Sequence, residues 1–225
     1  MMAEGGEADT ACPLCGDAGA AEYARARLRV YRRCATCALI FVPRAAHVAL
    51  DAEKRRYDLH RNAPDDAGYV RFLSRLPDAL VPKLEPGTCG LDFGCGPSAV
   101  LAGLLRARGF PMAVYDPFYA TDAAVLGHPY DFVTCTEVIE HFREPARDFA
   151  RLFALVKPGG WLGILTSLWE GEPAEFLRWR YANDETHIAF YCPRTLGWVA
   201  GRYGAALSRP AAGVILYRLD PRAVP

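Results

Sequence analysis

The chain has no run of roughly eighteen apolar residues, so no part of it has the length to cross a bilayer as a helix. Its opening residues, Met1-Met2-Ala3-Glu4-Gly5-Gly6-Glu7, have neither the basic start nor the apolar centre of a secretory signal. It also lacks net charge, since 26 Lys plus Arg balance 26 Asp plus Glu. That removes the simplest case for a nucleic-acid binder, which needs a cationic surface to release counterions. The nearest thing to such a surface is Arg25, Arg27, Arg29, Arg32 and Arg33, and it reads as the solvated face of a small hairpin. With no span and no secretory signal, a cytoplasmic location is expected, where thiols stay reduced. The eight cysteines then read as metal ligands and small buried residues rather than disulfides.

What the chain does have is a core-forming composition. Of 225 residues, 52% are hydrophobic, enough for one α/β domain and a small appendage. The appendage announces itself first. Cys12-Pro13-Leu14-Cys15 and Cys34-Ala35-Thr36-Cys37 are two CxxC pairs with eighteen residues between them. Two residues between ligands let one tight turn aim both thiolates at a single ion, and four thiolates suit a closed tetrahedral zinc site. Such a site has no open position and is structural. The competing readings are two unrelated pairs of buried thiols or a redox dithiol, the latter without the βαβ context it needs. Tyr23 to Tyr31 reads as strand between the pairs, and Ala38 to Val42 as strand after them.

The second signal is Leu91-Asp92-Phe93-Gly94-Cys95-Gly96-Pro97-Ser98, a short apolar strand ending in an acid and two glycines. A helical stretch, Ala99 to Arg108, follows, and a second strand, Met112 to Tyr115, ends on Asp116. Strand, glycine turn, helix, strand and acid form a unit that binds a nucleoside across the carboxyl ends of parallel strands. A dinucleotide fingerprint would carry a third glycine where Ala99 stands.

The Asp-Phe-Gly-Cys-Gly form resembles the class I S-adenosylmethionine (SAM) methyltransferases. Two later segments extend the likeness in the right order: Asp131 to Phe142, similar to that family's fourth strand and next helix, and Leu155 to Leu162, similar to its helix, turn and fifth strand. The resemblance covers about Leu84 to Leu219. It implies a Rossmann-like α/β sheet with helices on both faces, a SAM cofactor and methyl transfer. Asp92, Gly94, Cys95 and Gly96 would shape the methionine end of the site, Asp116 and Pro117 the ribose end, and Thr136 and Glu137 would border the cofactor. The organisation expected is a zinc ribbon at 8–43, a helical cap and linker at 44–83 and a SAM-binding domain at 84–225. Tyr57, His60, Asn62 and Tyr69 in the cap are candidate cofactor or substrate contacts.

Only fourteen residues separate Asp116 from Asp131, so the third strand is expected to be stunted, reduced to Ala124 to Leu126. Adenine would then rest on Phe118 and backbone near Ala123, with Asp122 the one acid left there. Further strands are expected at Thr88 to Phe93, Asp131 to Thr136, Trp161 to Thr166 and Val214 to Leu219. Helices are expected at Glu144 to Leu155, Glu172 to Tyr181 and Thr195 to Tyr203.

Methyl transfer needs positioning and sometimes a base, because SAM carries its own electrophile. Glu137, Glu140 and His141 are spaced to share one side of a helix if a helix begins there. With His187 they are the catalytic candidates. Either His141 is a general base tuned by its carboxylate neighbours, or Glu137, Glu140, His141 and His187 hold a second divalent ion against the substrate's oxygens. The Glu-x-x-Glu-His run resembles metal-dependent members, the small-RNA 2′-O-methyltransferases and the ubiquinone-pathway O-methyltransferases. A third reading is an acid-rich helix start with a packed histidine. Tyr181, Asn183, His187 and Tyr191 are substrate-side candidates. The acceptor expected is a small molecule, with an RNA or protein acceptor gripped by the ribbon, or a non-catalytic SAM-fold binding module, as the rivals.

Overall fold

The computed structural model describes residues 10–26, 29–59 and 63–222. The expectations placed on Arg27, His60 and Asn62 lie outside the described residues. In chain order the elements are β1 (Ala21–Ala26), β2 (Arg29–Arg33), β3 (Ile40–Phe41), α1 (Leu50–Tyr57), α2 (Ala67–Leu80), β4 (Gly90–Phe93), α3 (Val100–Ala107), β5 (Met112–Tyr115), β6 (Tyr130–Thr136), α4 (Pro145–Ala154), β7 (Val156–Leu165), α5 (Pro173–Phe176), β8 (Ala189–Phe190), α6 (Pro193–Arg202), β9 (Ala205–Ala211) and β10 (Val214–Leu219).

The chain forms two compact units. The larger comprises Asp58–Val138, Ala150–Thr166 and Ala200–Pro225. Its sheet runs β5-β4-β6-β7-β10-β9. β5, β4, β6 and β7 are parallel, and β10 returns antiparallel between β7 and β9. β4 is buried along its whole length, as expected of a central parallel strand covered on both faces. α2 covers one face because Leu73, Leu76 and Leu80 recur at helical spacing and meet Leu101, Leu105, Phe132 and Leu216. Asp66 starts α2 by accepting from the amides of Gly68 and Tyr69 at 2.8 and 3.0 Å.

This is the Rossmann-like sheet expected, with two corrections: β9 at its edge is not among the expected strands, and the third strand is missing. Ala123–Leu126 is a 3₁₀ turn and not a strand. Asp122 caps it through the amide of Ala124 at 2.9 Å, and Gly127 closes it onto Ala124. The interval is too short to go out and return as a strand, so β5 is the sheet's edge.

The smaller unit comprises Met1–Tyr57, Ile139–Phe149 and Ser167–Val199. Its sheet runs β1-β2-β3-β8, all antiparallel. The strand expected from Tyr23 to Tyr31 is thus a hairpin. Its apolar cluster contains Tyr31, Ile40, Val42, Phe176, Ile188 and Phe190. Phe176 meets Tyr23, Tyr31, Trp169 and Phe190 edge-on at 5.0–5.4 Å. The helix expected over Glu172 to Tyr181 shrinks to α5 and a separate 3₁₀ turn, Arg180–Asn183. Between them Trp179 stacks toward Trp169 and Tyr181, aromatic packing that an unbroken helix would not allow.

Candidate active site

In the larger unit the glycine turn is drawn tight by its own backbone. The amides of Gly94 and Cys95 both donate to the Tyr115 carbonyl, at 2.7 and 3.1 Å. Gly94 has φ of +79°, and a Cβ there would lie 2.3 Å from a Val138 methyl. Gly94→Ala is therefore expected to cost more than about 2 kcal/mol, from left-handed strain plus the clash. Urea unfolding would register it, and an unchanged midpoint would contradict the packing described.

Asp116 joins the two strand ends. One carboxylate oxygen accepts from the Gly96 amide at 3.0 Å, the other from Phe118 and Tyr119 at 2.8 and 3.1 Å. Asp92 is almost fully buried. Its Oδ1 accepts from the Thr134 hydroxyl at 2.9 Å, while Oδ2 is buried without a hydrogen-bond partner. Burial pushes its carboxyl up to about 6. Thr136 Oγ1, at the end of β6, is likewise buried without a partner. An orphaned acid oxygen and hydroxyl beside a glycine turn fit a ligand with an ammonium group, as SAM has. Burial first, then Asp92 and Asp116, push the Cys95 thiol up to about 12, so it is no nucleophile at neutral pH. Burial first, then the charges of Asp92 and Glu137, push the Tyr69 hydroxyl on α2 up to about 12.

Glu137 takes a left-handed conformation, φ +51°, and donates its amide to Leu165 at 2.8 Å. No helix begins there. Glu140 and His141 follow in a 3₁₀ turn, Ile139–His141, and α4 starts only at Pro145. The single helical face expected for Glu137, Glu140 and His141 is therefore absent, because the left-handed residue breaks the helical path.

The smaller unit instead gathers Glu140, His141 and His187, with ligand atoms within 4.8 Å of one another. Glu140 is fully buried and accepts from the Tyr181 hydroxyl. His141 Nδ1 bonds the Thr186 carbonyl at 2.9 Å and His187 Nδ1 bonds the Tyr181 carbonyl at 2.7 Å. A carbonyl only accepts, so both rings carry a proton on Nδ1, which makes Nε2 the basic nitrogen of the neutral imidazole. Burial lowers the proton affinity of His187, against the pull of Glu140. The Tyr57 ring stands edge-on to His141 at 5.1 Å. Its hydroxyl donates to Glu53 at 2.7 Å, and Glu53, itself buried, pairs with Arg143 at 2.6 Å. Tyr191 is fully buried, its hydroxyl spent on the Ile139 carbonyl at 2.9 Å, so it braces the 3₁₀ turn. Asn183 is exposed at the end of its own turn. Glu53 and Arg143 escaped sequence reading because nothing local links residues 90 positions apart. Arg44, His47, Arg143 and Arg147 help line a cavity of about 570 Å³ in this unit, which Glu140, His141 and His187 do not line.

The cysteines come together as expected. The sulfurs of Cys12 and Cys37 are 3.5 Å apart, those of Cys15 and Cys34 3.4 Å, and all four lie within 4.8 Å. The two turns match. Gly16 and Ala38 are both left-handed, and each donates its amide to the first cysteine of its pair, at 2.9 and 3.1 Å. The Cys37 thiol holds Cys12 down to about 5. Four crowded sulfurs of this kind suit zinc in their number and chemistry.

Known proteins agree with this architecture. A family described as a methyltransferase domain matches residues 60–208, well over half of the chain. In Burkholderia thailandensis, 1,6-didemethyltoxoflavin-N1-methyltransferase, solved with 1,6-didemethyltoxoflavin and S-adenosylhomocysteine, shares the fold at a TM-score of 0.54 and 14% identity, over 88% of this chain and 98% of that one. A ubiquinone biosynthesis O-methyltransferase of Leptothrix cholodnii is 28% identical over 146 residues, 54% of this chain and 58% of that protein. The corresponding enzyme of Sodalis glossinidius is 37% identical over 71 residues, 32% of this chain and 28% of its own length. The chain thus spans less than two thirds of these curated relatives. Fold and glycine turn define a Rossmann-like nucleoside-binding protein. The chain belongs to the methyltransferase domain family, within the class I SAM-dependent methyltransferases.

Proposed function

We propose that this protein transfers the methyl group of SAM to an oxygen, nitrogen or carbon atom of a small molecule. The observation that carries the acceptor side is the Glu140, His141 and His187 cluster, whose two imidazoles are both pinned through Nδ1. SAM supplies an activated methyl group when bound. Asp92 and Thr136 would hold its amino acid end through their orphaned oxygens, and Asp116 would take the ribose, with Gly94, Cys95, Gly96, Pro117, Tyr69 and Glu137 shaping the surroundings. His141 or His187, each held through Nδ1, would accept the acceptor's proton at Nε2. Glu140 would stabilise the imidazolium so formed, and Tyr57 and Tyr181 would fix the geometry. Four cysteines would hold a structural zinc ion.

A second reading of the cluster is supported by its donor set. One carboxylate and two imidazoles oriented by backbone carbonyls suit a divalent ion such as magnesium, manganese, iron or zinc. The ion would lower the pKa of an acceptor hydroxyl. A small-molecule acceptor is supported by relatives named for ubiquinone biosynthesis and 1,6-didemethyltoxoflavin.

Incubating the protein with methyl-labelled SAM and a cytoplasmic extract, then separating RNA, protein and metabolites, tests the reading. Label is expected in the metabolite fraction and is expected to fall at least a hundredfold with Glu140→Gln. Label in RNA or protein would replace the small-molecule reading, and no transfer with intact SAM binding would favour a binding module. Sensitivity to a chelator that leaves the cysteine-bound zinc in place would select the ion over the free base.

A further inference from the structure

The stretch from Tyr181 to Ile188 carries His187 and the two carbonyls that orient the imidazoles, yet from Asp184 to Ile188 it has no regular structure of its own. Its carbonyls are satisfied from the ribbon. Tyr31 donates its hydroxyl to Ala182 at 2.8 Å. Arg29 donates one guanidinium nitrogen to the carbonyl of Asp184 at 2.8 Å and another to that of His187. The Val42 amide donates to Ile188 at 2.9 Å, and β8 then pairs with β3. Arg29 also lies over the Tyr31 ring at 5.2 Å, so the two donors support each other. The other described ribbon arginines are similarly engaged within the unit. Arg25 pairs with Glu22, Arg32 donates to Ala20, and Arg33 covers Tyr23. On the far side of the ribbon, Arg194 at the start of α6 donates to Ala35 and Thr36 inside the second CxxC pair.

We infer that the ribbon is a brace for the acid–imidazole cluster, and that Arg29 is the positioning residue that fixes His187. The inference rests on the reading of Glu140, His141 and His187 as the acceptor-side machinery. A planar guanidinium can hold two carbonyls three residues apart in fixed relation, which a point-charge ammonium does less well. Holding both fixes the backbone of His187, and with it the Nδ1 bond to Tyr181 that sets which ring nitrogen is basic. The cysteine centre then serves catalysis through geometry: it pins the turns from which β2 and β3 emerge, and those strands grip the His187 segment.

The test uses the full zinc-loaded chain labelled with ¹⁵N-histidine. The chain has five histidines, and His187→Gln assigns the signal of interest. The wild type is expected to give one Nδ1–H tautomer at His187. Arg29→Met is expected to give a mixture of tautomers and at least tenfold faster amide exchange over 182–188, while Arg29→Lys recovers part of both. Should Arg29→Met fail to fold, Tyr31→Phe removes only the hydroxyl bond to Ala182 and is expected to move the same signals in the same direction. A folded Arg29→Met with wild-type tautomer and exchange overturns the inference. So does an unchanged Tyr31→Phe if that variant has to serve alone. Calorimetric titration with SAM is the separate control: a wild type that fails to bind SAM would sink the enzymatic reading and leave the ribbon result standing.

Discussion

Replacing Cys34 and Cys37 together with serine is expected to remove the zinc and unfold the ribbon. Elemental analysis of the wild type should find one zinc per chain, and of the variant none. The size of the effect follows from how little holds the ribbon before it packs on the later segments. β1 has no buried residue, β3 is two residues long, and the hairpin is too small to bury a core by itself. Zinc bound by four thiolates contributes on the order of 10 kcal/mol, and in so short a segment that binding energy is folding energy. The sulfurs stand 3.4–3.5 Å apart in pairs, close to what tetrahedral Zn–S bonds of about 2.3 Å require. Ala38 adds a cost of about 1–2 kcal/mol, since it is a non-glycine residue held left-handed, and such strain persists only where the surroundings enforce it. Amide exchange over 20–42 should approach unprotected rates in the variant. A metal-free wild type with full ribbon protection would refute the zinc assignment.

The second large effect concerns Asp92. Its carboxyl has a folded-state pKa of about 6, raised by burial from an ordinary value near 3.8. The cofactor-free folded state therefore holds this proton more tightly than the unfolded chain does. Its contribution to stability is greatest at low pH and is lost as pH rises from about 4 through about 6. The shift of about two units corresponds to roughly 3 kcal/mol at neutral pH. Thr134 and Arg106 oppose the shift and Asp116 adds to it. SAM binding should run the other way. An ammonium against the orphaned Oδ2 favours the carboxylate, so affinity should rise across the window in which cofactor-free stability falls. Asp92→Asn keeps an acceptor for the Thr134 hydroxyl and removes the charge. It is expected to raise the melting temperature without SAM, to weaken SAM binding at least tenfold near neutral pH and to flatten the dependence of affinity on pH. Thermal unfolding and calorimetry at about pH 5, 6 and 7.5 would check all three. Unaltered affinity would remove Asp92 from the cofactor's contacts.

These two predictions draw on the parts of the chain most legible in sequence. The CxxC pairs and the strand–glycine–helix–strand unit are local patterns, and β5 and β10 fall where their apolar runs place them. What sequence concealed was either conformational or distant. Glu137, Glu140 and His141 have helical spacing, but one left-handed residue cancels it. The third strand vanished into a capped 3₁₀ turn that composition does not distinguish from a short strand. Arg29 reads as a surface charge until Asp184 and His187, more than 150 residues later, give it carbonyls to hold.

The sheet β1-β2-β3-β8 also sets an order of events during synthesis. Its first three strands are made together, but the strand that completes it begins only at Ala189. At about 5–20 residues per second, the outer edge of β3 waits roughly 7 to 30 seconds for its partner. Over that interval the cysteine turns stand without the packing that later surrounds them, and metal capture is the event that can hold the hairpin in register. Availability of zinc to the nascent chain is thus a condition for β8 to find a formed edge to dock against.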